Sequence, residues 1–247
     1  MELHYAGMYT SGIISADALH IAGLEVKDRQ FEEATHLHSV PAYWEFVFDC
    51  VLGLAPPKAG DAQDKLHPLP MMVSQGLLDE NDFALKLPLG DSDDSNGELT
   101  FGGINEDLFT DNLIRPLNKE IDPYIEGKWT VEARSVKLSD GKTVDRTLDG
   151  YAAFFDSGYP FSDQPLDVAR EVVKALETKL SSSLFFAVPC KKRDSLPDLI
   201  YDLGGFDLTL TVYSYTTVKE RDECSIWFDG CLGNKDENLY LSLDLCF

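Results

Sequence analysis

Apolar and polar residues alternate along much of the chain with a period of two, which is typical of β-strands. The alternation is clearest over residues 11–35, where Gly12 and the Ala-Gly-Leu-Glu segment at 22–25 supply turn signals. This pattern predicts a hairpin of two or three strands. Residues 127–144 repeat the pattern around Asp140-Gly141, a strong two-residue turn signal, and predict a second hairpin.

Two stretches have helical periodicity instead. Residues 68–81 predict a short helix closed by Gly76, and residues 166–180 predict a longer amphipathic helix. The apolar segment 46–57 predicts a buried strand ended by Gly53 and Pro56. Further strands are expected in five segments: 82–90, 97–109, 183–190, 196–218 and 224–232.

These elements predict a mainly β protein of sandwich or barrel-like architecture with few helices. The alternation is lost near residues 112–128, which indicates a boundary between two domains there. A chain of 247 residues is long enough for one large or two smaller domains.

The charge balance narrows the function classes. The chain has 43 acidic and 21 basic residues and a formal net charge of −22. Such a field repels phosphate backbones, so we expect no nucleic-acid partner. It also suits a protein that works in acid, where many carboxylates are neutral. No apolar run approaches the length of a membrane span, so no membrane association is expected.

The five cysteines form no Cys-x-x-Cys pair, and no histidine pair lies near them at zinc-finger spacing. We therefore predict no metal site, and no motif calls for a cofactor. Cys50 lies in the apolar segment and is expected to be a buried thiol. The other four cysteines permit one or two disulfides, and the odd total leaves at least one thiol free or paired between chains.

The segment Ala152–Asp156 is followed directly by Ser157 and Gly158, which places an ionisable group at the end of an apolar run. Asp156 is either an ordinary turn aspartate or one member of a catalytic pair. No Gly-x-Ser-x-Gly motif occurs, and none of the five histidines has a context typical of a catalytic triad, which argues against serine hydrolase chemistry.

Seven segments, taken in order, resemble the pepsin-like aspartic peptidases. They are the flap hairpin and its following strand (3–24), the segment Phe-Asp-Cys-Val-Leu-Gly-Leu-Ala within 46–57, the Gln-Gly-Leu stretch (73–87), Gly-Glu-Leu-x-Phe-Gly-Gly (97–110), the Trp strand (127–138), the second Asp-Thr/Ser-Gly signature (153–165) and the late cysteine with Leu-Pro and Gly-Gly (190–210). In the second of these, Cys50 stands where the family has glycine. The resemblance implies a bilobal β fold. Residues 1–118 would be the remainder of the N-terminal lobe, and residues 119–247 would be the C-terminal lobe.

The sequence departs from this family at positions that carry chemistry. Asp156-Ser157-Gly158 is the chain's only Asp-Ser/Thr-Gly triplet, and Tyr159-Pro160 follows where the family has two small hydroxyl residues. Tyr5 corresponds to the flap tyrosine. We therefore expect an N-terminally truncated member that lacks the first catalytic Asp-Thr-Gly, whether by evolution, processing or an incomplete gene model.

The resemblance implies an aspartic endopeptidase with Asp156 in one of the two catalytic positions, supported by Ser157, Gly158 and Tyr5. With one carboxylate, the chain is expected to be inactive or very weak as a monomer. Two alternatives stay open. One is a non-catalytic relative that binds a peptide or protein. The other is a homodimer that pairs two Asp156 loops.

The resemblance also implies a disulfide between Cys190 and Cys224 and a secreted or vacuolar location. No basic-then-apolar signal peptide is found at the start of the sequence. A second bridge between Cys231 and Cys246 is possible on count alone, but the resemblance does not support it.

Overall fold

The computed structural model describes residues 2–5, 8–39, 49–57, 66–87, 97–109, 113–114, 127–141, 144–148, 151–158, 164–180, 186–218, 222–226 and 239–242. The fold is mainly β, as the alternation predicts. The chain forms two compact units. Unit 1 comprises Met1–Leu85 and Glu98–Phe109, and unit 2 comprises Lys86–Gly97 and Thr110–Phe247.

The strands, in chain order, are β1 (Glu2–Tyr5), β2 (Met8–Ile21), β3 (Leu24–Ser39), β4 (Phe83–Lys86), β5 (Glu98–Phe101), β6 (Trp129–Leu138), β7 (Asp145–Thr147), β8 (Ala152–Asp156), β9 (Lys179–Leu180), β10 (Phe186–Pro189), β11 (Leu199–Leu203), β12 (Phe206–Leu210), β13 (Thr216–Val218), β14 (Glu223–Ile226) and β15 (Leu239–Ser242). The α-helices are α1 (Pro68–Ser74), α2 (Leu166–Ala175) and α3 (Val212–Tyr215). Short 3₁₀ helices span Glu106–Leu108 and Cys190–Ser195.

Unit 1 contains the long hairpin that the sequence predicts. Strands β1, β2 and β3 form an antiparallel sheet in that order, while β4 and β5 form a separate two-stranded sheet. The β2–β3 turn has positive φ at both Ala22 (50°) and Gly23 (78°), the combination that a tight hairpin with right-handed strand twist requires. The predicted helix is α1, whose Met71 and Met72 pack on Val26 of β3.

The prediction of a buried strand over residues 46–57 is wrong for the part of that segment that the structure describes. Residues 49–57 adopt no strand, and Val51 is 50% exposed. Cys50 is an exposed free thiol, so the expectation of a buried one is also wrong. An apolar run becomes a buried strand only where a neighbouring strand and a covering layer meet it. None of the described sheets includes these residues.

Unit 2 is built around two sheets. One has the strand order β12-β11-β6-β8-β15, with β7 paired to β6, and the other has the order β13-β14-β10-β9. Turn residues Asp140 and Gly141 follow β6, and β7 folds back on β6 as predicted. The sheets and α2 enclose the main core, which includes the fully buried side chains of Val136, Val172, Leu199 and Tyr201.

A disulfide joins Cys190 to Cys224, the pairing that the resemblance implies. Cys190 follows β10, and Cys224 lies on β14 opposite Val188. The bridge therefore connects two adjacent strands at the start of the 3₁₀ helix. Cys231 and Cys246, the suggested second pair, lie outside the described residues.

Candidate active site

The candidate catalytic aspartate lies at the carboxyl end of β8, an interior strand of its sheet. Ala152, Ala153 and Phe154 are buried in the sheet, whereas Asp156 is exposed. The apolar residues hold β8 between β6 and β15, so burial of the strand fixes the point at which Asp156 emerges into solvent.

The turn after β8 bonds directly to the Asp156 carboxylate. The Gly158 backbone N–H donates to Asp156 Oδ1 at 2.9 Å. This bond closes a tight turn in which the side chain of the first residue accepts from the amide two positions later. It restricts the rotation of the carboxylate, and no hydrogen bond to Oδ2 is found among the described residues. Ser157, between the two, is exposed.

A parallel neighbour lies beside the aspartate strand. Strand β15 runs parallel to β8, with Leu239 opposite Ala153 and Ser242 opposite Asp156. No element is predicted for residues 238–247 from the local pattern, and the pairing brings Ser242, far along the chain, to the level of Asp156. Alternation in "NLYLSLD" is the only sequence signal for this strand.

Helix α2, which follows the Asp156 turn in the chain, is held at its first two turns by one cation. Arg146 of β7 donates to Asp167 through Nη2 and to Glu171 through Nη1, each at 2.5 Å. The hydrogen bond to Asp167 and the charge of Glu171 raise the pKa of Arg146. Sequence reasoning missed this clamp, because the three residues are separated by up to 25 positions.

A buried polar pair lies below the start of α2. Gln164 is 4% exposed and Tyr201 of β11 is fully buried. Burial raises the pKa of the Tyr201 phenol, and the nearby Gln164 amide partly offsets that rise. Within the described residues, neither side chain reaches full hydrogen-bond geometry. The pair therefore contributes a fixed, uncharged polar spot inside an otherwise apolar core.

The flap candidate belongs to unit 1. Tyr5 is the last residue of β1 and pairs with Met8 of β2. Asp156, Ser157 and Gly158 share one turn in unit 2. Within the described part of the chain, no group of three or more histidine, cysteine, aspartate or glutamate residues could hold a metal ion. No helix among the described residues is both long and apolar enough to cross a membrane.

Comparison with known sequences identifies relatives over nearly the whole chain. A family model described as eukaryotic aspartyl protease matches residues 1–241. Vacuolar protease A of Aspergillus fumigatus is 30% identical over 229 residues, covering 92% of this chain and 54% of the relative. Vacuolar aspartic protease of Candida albicans is 31% identical, covering 87% and 49%. Human cathepsin D is 26% identical, covering 94% and 57%. The chain thus spans about half the length of these relatives.

The same fold occurs among solved structures. The crystal structure of an aspartic proteinase from Irpex lacteus superimposes with a TM-score of 0.81, covering 99% of this chain and 74% of that one. Sequence identity in this pair is 15%, so the likeness concerns the fold.

Proposed function

The chain belongs to the eukaryotic aspartyl protease family, and we propose that Asp156 occupies one of the family's two catalytic aspartate positions. The observation that supports this most strongly is the bond from the Gly158 amide to Asp156 Oδ1, at the end of a buried strand. The bond orients the Asp156 carboxylate. The small residues Ser157 and Gly158 that follow it would allow two such loops to approach each other closely.

A pepsin-like site uses two carboxylates that share one proton. One acts as general base on a water molecule, and the other protonates the scissile carbonyl oxygen. Asp156 can supply one of these roles. The 247-residue sequence contains one Asp-Ser/Thr-Gly triplet, so we propose that a monomer of residues 1–247 hydrolyses peptide bonds very weakly or not at all.

A hydrolysis assay on purified 1–247 monomer tests the proposal. Casein or haemoglobin is incubated between about pH 3 and pH 5, the range in which a shared-proton pair acts. We expect no pepstatin-sensitive product above the level of the Asp156→Asn variant, which has the same size and lacks the charge. Pepstatin-blocked turnover by the monomer that disappears in Asp156→Asn would overturn the inactive-monomer proposal.

A second candidate function is peptide binding without cleavage. The exposed Asp156 carboxylate, held by one backbone bond, favours it because the group can accept hydrogen bonds from a ligand even where it cannot catalyse. This function predicts saturable binding of an extended peptide, measured by fluorescence anisotropy, with the peptide intact afterwards by mass spectrometry. Binding that is equal in wild type and Asp156→Asn would exclude Asp156 from the binding site.

A third arrangement pairs the Asp156 turns of two copies and restores two carboxylates. It predicts pepstatin-sensitive activity that increases with the square of the protein concentration. For location, we propose an acidic compartment, either vacuolar or extracellular. Two observations support this location: two relatives are named vacuolar proteases, and the chain has a net charge of −22. Immunofluorescence of the natural protein against an acidotropic dye would test it.

A further inference from the structure

Strand β3 forms one edge of the three-stranded sheet in unit 1. One end of that edge is closed by a side chain: the Gln75 amide donates to the Lys27 carbonyl at 2.9 Å, and Gln75 Oε1 accepts from the Lys27 N–H at 3.0 Å. Farther along, from Phe31 to Glu33, no strand or side chain of the described residues bonds to the outer edge. An open edge of this kind is a template for another strand.

One face of the sheet beside this edge has a distinctive pattern, in which Arg29 is half-buried and its guanidinium donates to the Gln30 carbonyl. Strand β3 pairs with β2 in unbroken register from Arg29 to Glu33, with Arg29 opposite Asp17, Phe31 opposite Ser15 and Glu33 opposite Ile13. Alternate residues of a strand share a face, so these six side chains lie on one side of the sheet. Phe31 is 41% exposed and Ile13 is 58% exposed, and Ser15 Oγ donates to Glu33 Oε2 at 2.9 Å.

The order of charges around Phe31 is self-complementary. Arg29 lies two residues before Phe31 and Glu33 lies two residues after it. In an antiparallel pair with Phe31 on the two-fold axis, each Arg29 faces a Glu33 of the other copy. Opposite charges directly across a ladder stabilise it, whereas like charges oppose it.

Neighbouring registers lack this match. With Gln30 on the axis, Asp28 would face a second copy's Glu32. With the axis between Gln30 and Phe31, Asp28 would face a second copy's Glu33. Both arrangements oppose two carboxylates. The Phe31-centred register places Asp28 opposite Ala34 and Lys27 opposite Thr35, with no like-charge pair along the ladder.

We propose that β3 is a homodimerisation edge, at which two copies of the chain pair β3 to β3 in antiparallel orientation with Phe31 on the two-fold axis. The product is a six-stranded sheet in which the β3 edge of one copy is paired with the β3 edge of the other. The interface is isologous, since the same residues serve on both copies. This surface lies in unit 1 and does not depend on the function proposed for Asp156.

The dimer is expected to be weak and sensitive to salt. A ladder of this length is a small interface, of the kind that forms transient complexes. Each copy carries a net charge of −22, and that repulsion opposes association at low ionic strength. Salt screens charges separated by more than about 8 Å at physiological ionic strength. We therefore expect association to strengthen between low and physiological salt.

Sedimentation velocity of the full chain tests the edge directly, at loading concentrations from about 1 to about 300 µM, the range suited to a small interface. Wild type is expected to show a monomer–dimer equilibrium. Glu33→Lys places a lysine opposite Arg29 and should weaken dimerisation by about tenfold or more. Arg29→Glu combined with Glu33→Lys restores opposite charges and should restore the dimer. Glu223→Lys, the same charge change at an exposed site in unit 2, is the matched control and should behave as wild type.

A cross-linking experiment covers the case in which the double variant does not fold. In a Cys50→Ser background, Phe31→Cys places one cysteine of each copy directly opposite the other. The Cα atoms of such a pair are about 4.5–5.5 Å apart, which is within the range that a disulfide spans. Mild oxidation should give a covalent dimer. Ser15→Cys is the control. Ser15 lies on β2, so in the dimer two β3 strands separate the two introduced cysteines, and they should not cross-link.

Three results would overturn the proposal. One is a monomer at every concentration. Another is a dimer that Glu33→Lys leaves intact and that oxidation of the Phe31→Cys variant does not trap. The third is a dimer lost in Asp156→Asn but kept in Glu33→Lys, which would assign association to the Asp156 turns instead.

Discussion

The Asp156 carboxylate shows how a single residue gains its geometry from its surroundings. Its chain position follows from the buried residues of β8, and its rotation is restricted by the Gly158 amide. The sequence identified Asp156, Ser157 and Gly158 as a unit from the family signature. The hydrogen bond from Gly158 to Asp156 could not be predicted from the sequence, because many Asp-Ser-Gly triplets in proteins are ordinary turns.

At the residue scale, a prediction concerns Tyr201, whose pKa is raised by burial. The unfolded phenol titrates near pH 10, while the folded one stays protonated to higher pH. The unfolded state therefore binds fewer protons above about pH 10, and stability falls there as pH rises, by up to about 1.4 kcal/mol per pH unit for one group. Below about pH 9, this contribution is constant.

Tyr201→Phe should remove that part of the alkaline loss. Urea unfolding at neutral and at alkaline pH, with thiols blocked, measures it as a shallower decline than in wild type. Tyr215, whose pKa burial also raises, keeps a similar decline in the variant. Identical slopes in the two proteins would contradict the assignment to Tyr201.

At the scale of elements, the Cys190–Cys224 bridge links β14 to the segment that leaves β10. It closes a loop with a sequence separation of 34 residues, and a bridge of this kind contributes about 2–4 kcal/mol. The double variant Cys190→Ser, Cys224→Ser should lower the free energy of unfolding by that amount. The measurement is urea unfolding under non-reducing conditions, and the variant should match wild type treated with a reductant.

The Arg146 clamp on α2 is expected to contribute little to stability. All three side chains are more than a third exposed, so solvent and salt screen both ion pairs. Arg146→Met should cost about 1 kcal/mol or less, and the difference from wild type should shrink at high salt. Lys192→Met, which removes one ion pair with Glu177 elsewhere, is the comparison. A loss of several kcal/mol would show that Arg146 is essential to the packing of α2.

Local patterns predicted the elements whose signals lie within a few residues of one another. The β2–β3 turn, the Asp140-Gly141 turn, α1 and α2 are examples. The short helix α3 lies in a segment for which the sequence predicts strand, because "TVYSYTTV" is rich in β-branched and aromatic residues. Here tertiary contacts override propensity: Tyr215 is fully buried and donates to the Pro197 carbonyl at 2.6 Å.

Long-range relations could not be obtained from local patterns. The parallel pairing of β15 with β8 and the contacts of Arg146 join residues far apart in the chain. The segment 49–57 failed for a related reason, since a strand exists only where a partner strand is present. Family resemblance supplied what alternation could not, namely the role proposed for Asp156 and the Cys190–Cys224 pairing.

For the whole molecule, the two units differ in how they bury apolar surface. The main core lies in unit 2. In unit 1, the buried apolar side chains among the described residues are Val26, Pro68, Leu69, Met71 and Met72. Ile13, Phe31 and Val51 are more than 40% exposed there. Large apolar side chains that are more than 40% exposed occur in unit 2 as well, among them Phe206, Tyr213 and Val218. Exposed apolar surface is therefore available to a protein partner on either unit.

We propose that Asp156 occupies a catalytic position but does not suffice for peptide hydrolysis in a monomer of residues 1–247. The most direct test is the initial rate of cleavage of a quenched fluorescent peptide at about pH 4, inside the range of a shared-proton pair. Wild type, Asp156→Asn and Glu33→Lys are compared over a range of protein concentrations. We expect rates at the level of Asp156→Asn wherever sedimentation shows monomer. A pepstatin-blocked rate that is linear in monomer concentration and absent from Asp156→Asn would contradict it.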